Sequence, residues 1–328
     1  MDWKNRRIEA LLEQALLEDK AVSDTTTNLT IDPDLHATAT ILARQEMVVA
    51  GLGCIPRFFE IFSRLDAQVA ATDIAEKSDA KRAARLSRST RFEVISHPEI
   101  FDGVRVHDGQ SLAVIRHNAR ALLSCERVIL NLMQHLSGIA TLTRRFADEI
   151  AGTAAHVLDT RKTVPGLRTL EKYAVLCGGG TNHRLDLSDG ILIKNNHISL
   201  GGGIPQVLTR ALADRKPGQR VQIEVRNPEE LEEALKYGAE AILLDNMTPD
   251  EVRTAVDRIK QGEASRAAAR AASGLTPSGW IPTEASGGII LSNIHSYALT
   301  GVEFISVGAL THSAPAADIS MRISAEKR

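Results

Sequence analysis

Between Leu158 and His197 the chain reads LDTRKTVPGLRTLEKYAVLCGGGTNHRLDLSDGILIKNNH, with six Lys or Arg residues and two His, in a protein whose formal net charge is −2. Positive charge gathered this locally suits a small anionic ligand. Arginine forks match carboxylates, and lysine offers a point charge to phosphate. Arg161, Lys162, Arg184 and Lys194 are the residues that could do this, with His183 beside Arg184. A single basic residue is ordinarily a solvated surface charge; several at one rim are not. Glu224 and Asp245 follow, each in a short apolar run. With a polyphosphate they suit magnesium, a hard ion that keeps waters and takes few protein carboxylates. Without one they would neutralise the lysines. The glycine triplets at 178–180 and 201–203 read as turns. SGG from Ser286 and VGALTHS from Val307 are stronger signals, and Ser286, Gly287, Gly308 and Ala309 are candidates to cradle a phosphate with backbone N–H groups.

A repeated α/β pattern must position these groups. From His156 onward, short apolar runs end in a charged or polar residue, and helical patterns follow: HVLD, ILIK, VQIEV, AILLD, TEASGG and FISVG. The stretches from Pro228 and Pro249 open with proline and acidic residues, a first-turn signature. Glu224 and Asp245 lie 21 residues apart, about one β-α unit. Functional residues at the ends of at least five strands point to a β/α barrel rather than a doubly wound sheet, which concentrates them at one switch point. Six strands are legible, short of the eight that close such a barrel.

The first third reads as mixed α and β. Ile8, Leu11, Leu12, Ala15 and Leu16 share one face of a docked helix. SDTTT (23–27) reads as a loop, ATATILARQEMVVAGL as an exposed sheet, and IPRFFEIFSRL as an amphipathic helix. RVHDGQSLAVI reads as a hairpin through Asp108-Gly109. Residues 119–147 read as helical with a break near Gly138. The basic stretch 77–91 reads as a solvated loop or hairpin tip, and 261–280 as a helix extension with a surface loop.

Composition narrows the function classes. With 43% hydrophobic and 24% charged residues the chain is an ordinary globular one, and near-neutral charge argues against a nucleic-acid binder. Three scattered cysteines without a CxxC pair argue against a zinc site or disulfide framework and suit a reducing cytoplasm. No apolar run reads as a signal peptide or a membrane span.

The motifs EDKAVSDTTT, ERVILNLMQHLSGIAT, LDTRKTVPGLR, CGGGTNHRLDLSDGILIKNNH, IEVRNPEEL, LLDNM, EASGGI and ISVGALTHSA occur in this order along nearly the whole chain. On them the chain resembles the quinolinate phosphoribosyltransferase family, also called nicotinate-nucleotide pyrophosphorylase (carboxylating). The resemblance implies an α/β fold: an N-terminal α/β sandwich domain over residues 1–128, onto which a tail at 313–328 packs, and an incomplete parallel β/α barrel over 129–312. It implies a pentosyltransferase that joins quinolinate to phosphoribosyl pyrophosphate, giving nicotinate mononucleotide, pyrophosphate and carbon dioxide with magnesium. It also implies a homodimer or larger assembly with shared sites. Arg161, His183, Arg184 and Lys194 would hold quinolinate, with Arg127 reaching in from a neighbouring subunit. Lys162 would contact phosphoribosyl pyrophosphate, and Glu224 and Asp245 would sit by the ribose hydroxyls and magnesium. Ser286, Gly287, Gly308 and His312 would take the ribose phosphate. Lys162, Lys194, Glu224 and Asp245 form the implied catalytic set.

Asn195 departs from the family pattern, which usually has an acid after the barrel lysine, and 77–91 and 261–280 look like insertions. The alternatives are a phosphoribosyltransferase paralogue of the same fold with another acceptor, such as the molybdenum-operon one, and a non-catalytic ligand-binding relative.

Overall fold

The computed structural model describes residues 1–77, 91–272 and 279–326. The chain divides into two compact units: Met1–Leu142 with Leu176–Gly178 and Ala314–Arg328, and Thr143–Val175 with Gly179–Ser313.

The first unit opens with the helix Arg6–Glu18, capped by the Asn5 side chain, and buries Ile8, Leu12 and Leu16 as the periodicity predicts. The expected loop at 23–27 is instead largely the start of a helix, Thr25–Thr30, because Asp24 accepts the Thr27 amide at 3.0 Å as its cap. Strands β1 (His36–Ala43), β2 (Met47–Val48), β3 (Glu93–Ile95), β4 (Arg105–Val106) and β5 (Ser111–Asn118) follow. The sheet is not simply exposed, since Ala37, Ala39, Ile41 and Ala43 of β1 bury one face. The expected hairpin does not form either. β4 pairs with β2, whereas β5 pairs antiparallel with β1 and β3. The turn exists, with Gly109 at φ +79°, but its residues bond to the end of β1: Gly109 N donates to Ala43 O and Ala43 N to Gln110 O. That draws β5 onto β1.

The helix Ala119–Glu149 runs unbroken through Gly138. Glycine serves there for close approach, because a Cβ would fall 2.1 Å from the Pro315 carbonyl oxygen. The basic-loop reading of 77–91 falls almost wholly outside the described residues.

The second unit is built on six strands, β6 (His156–Leu158), β7 (Ile191–Ile193), β8 (Val221–Val225), β9 (Ala241–Asp245), β10 (Thr283–Ser286) and β11 (Phe304–Ser306), in the order β6-β11-β10-β9-β8-β7. Every pairing is parallel. β6 and β7 are the edges of this sheet, an incomplete barrel, and Leu158 makes a single further parallel bridge to Thr181. The strands bury Val157, Ile193, Val221, Ile223, Val225, Ile242, Leu244, Ala285 and Ile305. Helices Pro228–Lys236 and Pro249–Gln261 start where the sequence places them. Asn227 caps one, and Thr248 with Glu251 forms a capping box on the other. The segment after Gln261 gives a helix, Glu263–Ala272, and 273–278 lie outside the described residues. Finally β12 (Ile319–Ala325) joins the first unit, extending its sheet to β12-β1-β5-β3. Among the described residues no helix is long and apolar enough to cross a membrane.

Candidate active site

Asp159 follows β6 and is fully buried. It pairs with Lys172, a buried lysine of the helix Arg168–Cys177. Two more donors complete it: Asn182 Nδ2 at 2.6 Å and the His183 amide at 2.8 Å. Lys172 Nζ also donates to the His183 carbonyl at 2.9 Å, and Asn182 Nδ2 to the Lys172 carbonyl at 2.9 Å. Burial raises the Asp159 pKa, outweighing the opposing pull of Lys172 and its hydrogen bonds. A buried ion pair is tolerable when its remaining bonds are filled in this way. Its effect here is to pin residues 182–183.

His183 Nε2 lies 3.2 Å from Oε2 of Glu284, a buried residue of β10. Glu284 also accepts from Gln222 Nε2 at 2.7 Å and from the Ser306 hydroxyl. Burial alone would raise its pKa, but these bonds, His183's foremost, bring it below the usual value. Arg184 donates its amide to His183 Nδ1 at 2.7 Å. Burial lowers the Arg184 pKa, and the Arg161 guanidinium lowers it further, against the pull of Asp189 and Glu284. Arg161 Nε is buried without a hydrogen-bond partner. The Arg161 guanidinium, with a bare donor of its own, thus stands close to that of Arg184, a pairing whose chemistry suits an anion. A cavity of about 630 Å³ is lined by His183, Arg184 and Glu284 and also by Arg220, Ala241 and Phe304 near the strand starts; Arg161 is not in its lining.

The next strands carry the acids. Lys194 follows β7, and its Nζ is 3.8 Å from Oε2 of Glu224 in β8. Burial raises the Glu224 pKa first and nearby Asp245 second, with Lys194, the Asn195 amide and Arg226 opposing. Asp245 ends β9 beside Ser286, its register partner in β10. After them Gly287 has φ +99°, and a Cβ there would fall 2.2 Å from Asn246 Oδ1. Glycine is required on both counts. Gly308 follows β11, where a Cβ would stand 3.1 Å from Lys162 Cδ and 3.3 Å from the His312 ring. Thr311 Oγ1 donates to the Lys162 carbonyl at 2.8 Å, tying the TRKT segment to the last barrel turn.

Thus Arg161 is near Arg184, with His183 beside it; Lys194, Glu224 and Asp245 form a second group next to Ser286; Lys162, Gly308 and His312 form a third. Arg127 is exposed on the Ala119–Glu149 helix, in the first unit. Sequence reasoning gave no role to Asp159, Lys172, Asn182, Gln222 or Glu284. Asp159 and Glu284 were visible as the acids of HVLD and TEASGG, and Lys172 as a lysine on the mostly buried face of the 168–177 helix. Among the described residues no three His, Cys, Asp or Glu are placed to hold a metal.

An incomplete β/α barrel whose strand ends carry guanidinium groups, carboxylates and glycine turns suits a transferase that handles a carboxylate and a phosphorylated sugar. Two family models match: "Quinolinate phosphoribosyl transferase, C-terminal domain" over residues 139–322 and the corresponding N-terminal domain over 24–137. The chain is 38% identical over 318 residues to a probable nicotinate-nucleotide pyrophosphorylase [carboxylating] of Bacillus subtilis, covering 97% of this chain and 94% of that one. It is 36% identical over 329 residues to a mitochondrial quinolinate phosphoribosyltransferase [decarboxylating] of Nicotiana glauca, covering 97% and 83%. The crystal structure of the nicotinate-nucleotide pyrophosphorylase from Francisella tularensis superposes with a TM-score of 0.75 at 32% identity, over 98% and 97% of the two chains. This chain belongs to the quinolinate phosphoribosyltransferase family.

Proposed function

We infer that this protein transfers the phosphoribosyl group of phosphoribosyl pyrophosphate to quinolinate with decarboxylation, giving nicotinate mononucleotide for NAD biosynthesis. The observation that carries the reading is the neighbouring pair Arg161 and Arg184, partly desolvated, beside a strand-end group of Lys194, Glu224 and Asp245. Quinolinate has two carboxylates on adjacent ring carbons, and two guanidinium forks with a lysine match that dianion. Lys162 faces the pyrophosphate, and Glu224 and Asp245 face the ribose. Ser286, Gly287, Gly308 and His312 bind the 5′-phosphate.

The chemistry is electrostatic. As pyrophosphate departs, positive charge develops on the ribose, and the Glu224 and Asp245 carboxylates stabilise it while Lys162 stabilises the leaving group. The ring nitrogen of quinolinate, whose carboxylates the arginines hold, attacks the anomeric carbon. Orientation replaces a covalent nucleophile. The alkylated nitrogen is positive and stabilises a carbanion beside it, so the adjacent carboxylate leaves as carbon dioxide and the electron pair left on the ring carbon takes a proton from solvent, giving nicotinate mononucleotide. Glu224 and Asp245 fit magnesium as a two-carboxylate donor set, since the Asp245 charge raises the Glu224 pKa and a cation between them would relieve that repulsion. Bound there, magnesium would neutralise pyrophosphate charge.

Arg127 completes the carboxylate pocket from a second copy. The exposed Leu187 and Leu200, on either side of β7, favour such an assembly. Cys54, Cys125 and Cys177 as thiols rather than disulfides suit a reducing, cytoplasmic setting.

The test is turnover. Purified protein with phosphoribosyl pyrophosphate and magnesium should convert quinolinate to nicotinate mononucleotide with one carbon dioxide released. Turnover of nicotinate instead, or of neither, would sink the reading.

A further inference from the structure

We propose that Asn246 is a positioning residue that orients the Asp245 carboxylate and seats the Gly287 turn against it, so that one side chain sets the spacing between the ribose and phosphate ends of the site. The proposal rests on the reading that Asp245 faces the ribose and that Gly287 helps bind the 5′-phosphate. It concerns what holds those two groups in register.

The backbone is the first sign. Asn246 has φ +56°, one of two non-glycine residues in the left-handed region among the described residues. That conformation costs an L-residue free energy, and asparagine bears it better than most. It persists where the surrounding contacts hold it. Here contacts on both sides do so. The Asn246 amide donates to the Ser286 carbonyl at 2.8 Å, carrying the pairing of β9 with β10 one step past Asp245 and Ser286. The next carbonyl, of Met247, accepts from the buried Tyr297 hydroxyl at 3.0 Å.

The side chain uses that backbone in two directions. Its Nδ2 donates to Asp245 Oδ2 at 2.8 Å. An amide nitrogen only donates and an ionised carboxylate only accepts, so Nδ2 is the end turned to Asp245 and Oδ1 is the end left for other neighbours. That oxygen faces Gly287, where a Cβ would fall 2.2 Å from Oδ1, 2.6 Å from Cγ and 2.9 Å from the Asn246 nitrogen. The Gly287 turn therefore lies directly on the carboxamide. A carboxylate at a strand end is free to rotate unless a fixed donor holds it, and supporting groups of this kind set the precision of those that touch a ligand. Asn246 supports Asp245 by a hydrogen bond and Gly287 by contact.

Two variants of the full chain separate the backbone from the side chain. Asn246→Gly keeps the left-handed turn and removes the donor. Asn246→Asp keeps the size and sets one carboxylate against another. Calorimetry in magnesium should show the phosphoribosyl pyrophosphate Kd raised about three- to tenfold in the glycine variant, the worth of one solvent-exposed hydrogen bond to a charged group. It should rise further in the aspartate variant, while the quinolinate Kd stays constant in both. A glycine variant that binds phosphoribosyl pyrophosphate as wild type does overturns the proposal, since only the turn would then matter. Equal losses for both substrates overturn it as well. A measurement without ligand stands beside these. In protein with ¹⁵N-labelled asparagine, the Asn246 side-chain amide signal, assigned by its loss in Asn246→Gly, should move in Asp245→Ala and in Gly287→Ala. A signal unmoved in either variant overturns the brace. Wild-type protein that binds no phosphoribosyl pyrophosphate would defeat the functional reading instead, and the amide signal would still decide the brace.

Discussion

Lys194 Nζ stands 3.8 Å from Glu224 Oε2, joining the ends of adjacent parallel strands β7 and β8 across the mouth of the barrel. The lysine lowers the carboxyl pKa, yet burial and the Asp245 charge raise it more. Glu224 is therefore a carboxylate whose ionisation depends on two named neighbours, and each can be removed.

The sign of each removal follows. Glu224 holds its proton to a higher pH than an ordinary glutamate. Its ionised form is the one that stabilises positive charge on the ribose, so activity should fall on the acid side as Glu224 is protonated. Asp245→Asn removes a like charge and should move that limb to lower pH. Lys194→Met removes an opposite charge and should move it to higher pH. Profiles of kcat/KM against pH on the residual activities check both directions; shifts of the same sign would show that another group sets the limb.

Arg161 carries a buried Nε without a partner beside a second guanidinium. Arg161→Ala should weaken quinolinate binding by about ten- to a hundredfold, from a loss of roughly 1.5–3 kcal/mol. Phosphoribosyl pyrophosphate binding should hardly change. Calorimetry with each substrate alone distinguishes this from general damage, which would weaken both alike.

Much of this architecture was legible because strand-end chemistry is local in sequence. The barrel strands are short, mostly apolar runs with a candidate site residue within or just after them, and the proline-led helices announce their own starts. The failures share one cause. The turn at Gly109 was visible, but whether β4 or β5 pairs across it depends on β1, more than 60 residues earlier in the chain. Gly138 looked like a helix break because its reason for being glycine is Pro315, far along the sequence. Glu284 and Lys172 escaped for the same reason: their partners, His183 and Asp159, lie on other elements. Periodicity reports a residue's own element, whereas buried polar networks are tertiary.

Arg127 and Lys162 lie in different units of the chain. If two copies share each site, Arg127→Ala and Lys162→Ala should each be nearly inactive, while a mixture regains activity, because a mixed dimer contains one site with both residues intact. Subunit exchange is checked by mass. Verified exchange without recovered activity would mean that Arg127 serves no neighbouring site.

His117 gives a stability prediction for the first unit. Burial, then the His36 charge, pushes its pKa from 6.5 down to about 4, and its ring packs edge-on against Phe59 at 5.1 Å. The unfolded chain binds this proton below the ordinary histidine value, and the folded one refuses it until about pH 4. Stability from this residue is present above pH 6.5 and is lost as pH falls through that window, by on the order of 3 kcal/mol in all. Urea midpoints measured across the window should fall less steeply for His117→Leu than for wild type; parallel curves would assign the acid sensitivity elsewhere.

Asn195 stands where the family usually has an acid, and its two polar ends have different fates. Its backbone amide donates to Glu224. Its side-chain Oδ1 is buried and has no hydrogen-bond partner. The backbone bond supports the Lys194–Glu224 junction, and the expectation is that the side chain serves that junction rather than a metal. Aspartate at this position would bury a second negative charge beside an acid already strained by Asp245. Asn195→Asp should therefore lower stability by on the order of 2 kcal/mol and raise the Glu224 pKa further, shifting the acid limb upward. The magnesium concentration for half-maximal rate, measured at saturating substrates, should stay as in wild type. A clear drop in that concentration, in a variant shown by circular dichroism to be folded, would place the side chain at the metal and overturn the supporting role.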